Sequence, residues 1–380
     1  MAPTPSRAKK SAAAAKKNKK SKKSTMSHES LLETASNQLK LGNIDEAAAA
    51  ATAALASATA SGSNTTQLQC LNLLGQISIE AGEPDNARAL FTRAVALDPE
   101  GAQPEAVGGG PEKFMWLAQL SEEGGRDSVS WYEKAARALR AQIANLQAQA
   151  RRTDDDEAAL LEKQRALAGV LCAVTEVFMT DLSWEEDAEQ QCEALVTEAS
   201  TVCPSSAETW QTVANVRISQ QRDDEAREAL KRGLEIWADL PSNDPSVPEF
   251  AVRISLARLL LEVAMMEEAR FVLDRLIKDD DQSVEAWYLG GWHRFLVGQK
   301  SKEEGNSEEH VQMWKAARRR LIQCAQLYQM LQYDDERLAQ HAQELLDDIN
   351  KELGEPTTED EETEAEEEEG EDDEDDEMQE

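Results

Sequence analysis

Aromatic residues make up only 5% of this 380-residue chain, glycine and proline number just 18 and 11, and 40 basic side chains face 74 acidic ones. So few turn formers exclude a β-sandwich or barrel, and the composition points to helices. The net charge of −34 excludes a nucleic-acid binder working through its whole surface, because phosphates would be repelled. A basic partner follows instead. No apolar run is long enough to cross a membrane, and no apolar segment follows the N-terminal lysines, so neither a span nor a secretory signal is expected. The five cysteines are odd in number, widely spaced and set in apolar helical contexts, which fits buried, reduced thiols better than a disulfide framework.

The charge is unevenly placed. Residues 1–26 hold nine Lys or Arg and no acid, whereas residues 355–380 hold 18 Asp or Glu and no base. The 328 residues between them still carry −25, with 56 acids and 31 bases. Both ends lack the apolar side chains that would offset the entropy of ordering, so residues 1–27 read as a disordered basic arm and 354–380 as a disordered acidic tail. The arm suits an import signal or a transient RNA contact, and the tail a polyanion that screens a basic client. Thr357, Thr358 and Thr363 each precede an acid by three residues, a pattern that suits an acidophilic kinase.

Between the ends runs a repeat. From Leu68, the residues Leu71, Leu74-Gly75, Ser78, Ala81-Gly82, Ala87, Phe91, Ala94 and Pro99 fall at the spacing of the 34-residue tetratricopeptide helix-turn-helix. Gly75 and Ala87 let two antiparallel helices approach closely while Leu71, Leu74 and Phe91 fill the space beside them. Further copies start near His28, Ser206, Phe250 and Glu285, and the last has a polar insertion near residues 298–309. Residues 111–150 and 155–203 are degenerate copies. A helix over about 334–353 caps the stack. The expected fold is all-α, a right-handed tetratricopeptide-repeat solenoid over residues 28–353 with seven helix pairs plus a cap.

Nothing in the chain has the spacing of a catalytic or metal site. The four histidines, at 28, 293, 310 and 341, pair neither with one another nor with a Cys-x-x-Cys. There is no Gly-x-Ser-x-Gly elbow and no phosphate loop, and Gly108-Gly109-Gly110 precedes Pro111 without a strand, so it reads as a flexible connection. No enzyme activity, cofactor, metal or small-molecule substrate is expected.

In a tetratricopeptide solenoid the first helix of each pair lines the concave face. Its groove positions here give Asn72, Gln76 and Glu80 in the second unit, Glu208 and Asn215 in the fifth, Glu262 in the sixth, and Glu285, Tyr288 and Trp292 in the seventh. Glu176 and Asp181 belong to the fourth by a looser phase. Amides suit an extended backbone, carboxylates suit Arg and Lys, and the aromatics suit stacking on aliphatic or guanidinium groups. Replacing Glu262 or Glu285 with Arg is therefore expected to weaken client binding. Leu32, Ser36, Asn72 and Gln76 do not assemble the Lys/Asn clamp that grips acidic chaperone C-termini.

The Lys-rich start, the Ala-rich first repeat around Leu39–Ala47, the inserted seventh repeat and the Glu/Asp tail together resemble the fungal tetratricopeptide assembly chaperones of ribosomal protein L-four. That resemblance implies an escort that captures the new large-subunit protein by its long basic internal loop, prevents its aggregation and accompanies it from cytoplasm to nucleus. An import receptor and the pre-60S particle are then further partners. Two other classes stay open on the residues alone: a histone chaperone of the repeat type, and a scaffold subunit of a nuclear assembly.

Overall fold

Five of the helical hairpins turn in the same way. After the first helix one residue takes left-handed backbone, with φ between +58° and +82° at Gly42, Gly82, Gln221, Ala264 and Gly305. The following amide then reaches back five residues, from Asn43 to Gln38, Glu83 to Ser78, Arg222 to Arg217, Met265 to Leu260 and Asn306 to Ser301, at 2.8–3.0 Å. This is the Schellman closure of a helix end. Glycine adopts it freely, whereas Gln221 and Ala264 do so at roughly 1–2 kcal/mol each, supplied by the packing of the flanking helices.

The computed structural model describes residues 27–354, so the readings made for the basic arm and the acidic tail fall outside the described residues. Within this range the chain forms fifteen α-helices and one short 3₁₀ turn, with no strand. Contacts divide the chain at Leu120 into two units.

The first unit contains α1 (His28–Lys40), α2 (Ile44–Ser61), α3 (Asn64–Glu80), α4 (Pro84–Leu97), the 3₁₀ turn Glu105–Val107 and α5 (Glu112–Gln119). Ser27 and Ser63 cap α1 and α3 by accepting from the amides of Ser30 and Thr66. In α2 the stripe Ala47, Ala51, Ala54 and Ala58 is fully buried, so α1 and α3 approach it without intervening bulk. The core continues through Leu68, Leu71, Leu74 and Ile77 to Leu90 and Ala94. At Gly75 a Cβ would stand 2.5–2.9 Å from the Phe91 ring, which in turn stacks on Trp116 at 6.1 Å. Gly75→Val is accordingly expected to overpack this seam and cost about 1–3 kcal/mol; thermal denaturation checks it, and an unchanged melting temperature would contradict the packing argument.

The second unit opens with α6 (Gly125–Gln147), α7 (Asp154–Met179) and α8 (Ala188–Val202), in which α7 packs on both neighbours. Thr153 and Asp156 form a reciprocal capping box at the start of α7. Then come the regular pairs α9 (Ala207–Ser219) with α10 (Asp223–Glu235) and α11 (Phe250–Glu262) with α12 (Met266–Asp279). The pair α13 (Val284–Glu303) and α14 (Ser307–Leu331) is followed by α15 (Glu336–Leu353). The polar insertion expected near 298–309 is no long loop. It lengthens both helices and leaves a turn at Gly305, because Lys, Gln and Glu, good helix formers, make up most of it and no proline interrupts it. Trp210 and Trp287 donate to the carbonyls of Pro204 and Asp281, six residues back in each case, so both serve packing at the repeat start. All five cysteines are buried and free. Burial pushes the Cys70 and Cys324 thiols up to about 11.

Candidate client-binding face

In the second unit the first helices of successive pairs form one layer, with α7 against α9, α9 against α11, α11 against α13 and α13 against α15. The predicted groove residues of this unit lie on that layer, with the exception of Asp181. Glu176, Glu208 and Glu262 are exposed, and no basic side chain bridges them among the described residues. Burial pushes up the thiol of Cys172, and the charges of Glu176 and Glu208 reinforce that shift. Loss of surrounding water also raises the Glu176 carboxyl, although the residue as a whole reaches the surface. Asn215 is half-buried on α9, in the same helix as Gln211, whose amide donates to Val252 O at 3.3 Å.

Other predicted residues are committed elsewhere. Glu285 accepts from Arg258 on the neighbouring helix, so its charge is largely neutralised. Tyr288 and Trp292 stack on each other at 6.2 Å and meet His341 of α15, with Tyr288 Oη 2.7 Å from His341 Nδ1. They are half-buried in the cluster around Leu345, Leu346 and Ile349. The expected open aromatic patch is thus covered, because the strongly amphipathic α15 buries its apolar stripe on the same helix face. Asp181 lies beyond the end of α7, in a turn, and its carboxylate accepts from the Gly125 amide at 3.0 Å, capping α6 instead of lining the layer.

In the first unit Glu80 is exposed at the end of α3. Asn72 and Gln76 are not open to a client. Asn72 Nδ2 donates to Gly108 O at 2.5 Å, Gln76 Nε2 to Glu112 Oε1 at 2.6 Å, and Gln69 Nε2 to Ala106 O at 2.7 Å. The triple glycine is therefore no flexible connection. Gly109 and Gly110 are buried, and a Cβ on Gly108 would lie 2.9 Å from the Gln69 backbone. Sequence reasoning missed this strand of chain on α3, and its one signal was the conjunction of three glycines with Lys113, a lysine set directly before an apolar run.

The tetratricopeptide repeat family model matches residues 68–100, the copy that begins at Leu68. Over 341 residues the chain is 46% identical to a protein of Emericella nidulans named probable assembly chaperone of rpl4, covering 87% of this chain and 83% of the relative. The chain belongs to this chaperone family. A Schizosaccharomyces pombe protein of the same name is 35% identical over 296 residues, covering 77% of this chain and 83% of its own length. Among solved structures, residues 1–338 of the assembly chaperone of RpL4, Acl4, align with a TM-score of 0.68 at 52% identity, covering 74% of this chain and all of that one. The rpl4-chaperone family thus carries the tetratricopeptide solenoid that the repeat spacing predicts. Glu176, Glu208 and Glu262 are exposed carboxylates on the first-helix layer of the second unit.

Proposed function

We propose that this protein is a dedicated escort of rpl4, the large-subunit ribosomal protein L-four, and that it holds the basic internal loop of that client on the acidic first-helix layer of the second unit. Family membership supports the client, and three unbridged carboxylates spread over α7, α9 and α11 support the mode. An extended basic segment loses chain entropy on binding, so several moderate contacts along successive repeats suit it better than one deep pocket. The anionic layer also accelerates capture and discourages acidic partners. Ribosomal RNA, with denser charge, then competes for the same client residues at handover in the pre-60S particle. Residues 28–353 form the client-holding domain in this reading, with the basic arm and acidic tail as accessories and with passage from cytoplasm to nucleus as the route.

Glu208 and Glu262 are the residues to test, since Glu285→Arg would also set two arginines against each other at Arg258. The double variant Glu208→Arg, Glu262→Arg is expected to lower rpl4 affinity roughly tenfold at low salt and to flatten its salt dependence, while leaving the helical circular-dichroism signal intact. Titrations at two ionic strengths check this. Unchanged affinity in both would remove the first-helix layer as the client site.

A further inference from the structure

The segment between α4 and α5 lies along one row of α3. Gln69, Asn72 and Gln76 stand at successive turns of one helix face, and each gives its side-chain amide to this segment, at Ala106 O, Gly108 O and the Glu112 carboxylate. Two of the three acceptors are main-chain carbonyls. The segment that accepts these bonds is a compact turn of the protein's own chain, with a 3₁₀ helix at Glu105–Val107 and left-handed backbone at Gly108.

We propose that residues 103–112 are a resident strap that permanently occupies the α3 amide row, closes this row to the client and confines the basic client segment to the second unit. The proposal rests on the rpl4-escort reading and assigns to that activity its excluded surface. Three observations favour a permanent strap over a displaceable one. Its base is locked by a buried ion pair, Lys113 Nζ to Asp98 Oδ2 at 2.8 Å, and the same ammonium donates to Gly110 O at 2.7 Å. The other Asp98 oxygen accepts from the amides of Ala102 and Gln103 at 2.9 and 3.2 Å, folding the chain back toward α3. The tip is closed internally by Gly108 N to Glu105 O at 2.8 Å and Gly109 N to Pro104 O at 3.0 Å. Lifting the strap would break the three side-chain amide contacts of α3 while leaving its anchored base in place.

The test is hydrogen exchange on the full-length chain with and without purified rpl4, together with a titration of Asn72→Ala, Gln76→Ala. Amides of residues 105–110 are expected to keep their protection when rpl4 binds, and the double alanine variant is expected to bind rpl4 within about twofold of the unaltered chain while exchanging these amides faster. Loss of protection at 105–110 on client binding, or a tenfold loss of affinity in the alanine variant, would overturn the strap. The exchange comparison needs no variant and so stands even if the substitutions unfold the loop. Failure of the escort reading is distinguishable, since the unaltered chain would then not bind rpl4 at all.

Discussion

Replacing Lys113 with Met is expected to destabilise the first unit by about 3–5 kcal/mol, the cost of leaving a buried charge without its partner. Lys113 is 1% exposed and Asp98 4%. Burial pulls the lysine below its ordinary value, while the hydrogen bond and charge of Asp98 oppose that shift. In the variant Asp98 keeps the Ala102 and Gln103 amides but loses its counter-charge and the donor it shares with Gly110. The companion Lys113→Met, Asp98→Asn should be milder than the single change, because an asparagine oxygen still accepts from those amides without burying a charge. Urea unfolding followed by circular dichroism checks both. A loss below about 1 kcal/mol for the single variant, or a double variant no milder than the single, would contradict the account of the loop base.

Acidification is the second large effect. His293 sits on α13, 4% exposed, with Nε2 2.9 Å from Met266 O. A carbonyl only accepts, so Nε2 carries a proton and donates. Burial lowers its pKa from 6.5 to about 4; the Met266 hydrogen bond opposes the shift, Arg294 and Arg320 add to it, and Asp274 counters in part. The unfolded chain therefore binds a proton below pH 6.5 that the folded chain refuses until about pH 4, so stability falls as the pH drops through that window and the loss levels off beneath it. The contribution reaches at most about 3 kcal/mol. Subtracting the pH profile of His293→Gln, whose amide also donates to a carbonyl, isolates this part from the carboxylates Glu193 and Glu225, which arginines hold below the usual range. Coincident slopes for the two proteins between pH 6.5 and 4 would remove His293 as the cause.

Helix packing and groove lining overlap in this fold. Positions on the first helix that face a groove also face the next first helix. Where the neighbour offers a complementary side chain the groove residue is consumed, as Glu285 is by Arg258 and Tyr288 by His341. Where it offers none the residue stays available, as with Glu176, Glu208 and Glu262. Spacing along one helix cannot distinguish these outcomes, since the partner lies 27 residues away for Glu285 and 53 for Tyr288. Asp181 differs again: α7 ends at Met179, so the helical phase does not carry to residue 181.

The amino-acid sequence by itself determined the helical class, the repeat spacing, the turn glycines at 42 and 82, the alanine seam of α2 and the acidic character of the body. Each of these is a local or periodic property, set by backbone sterics, side-chain volume or summed charge. Only the tertiary structure decided that α15 covers Tyr288 and Trp292, that Gln221 and Ala264 take left-handed backbone, and that the segment from 103 to 112 lies on α3. These outcomes depend on which surfaces meet, and a contact between distant residues forms when the joint burial of both partners outweighs the cost of ordering the chain between them.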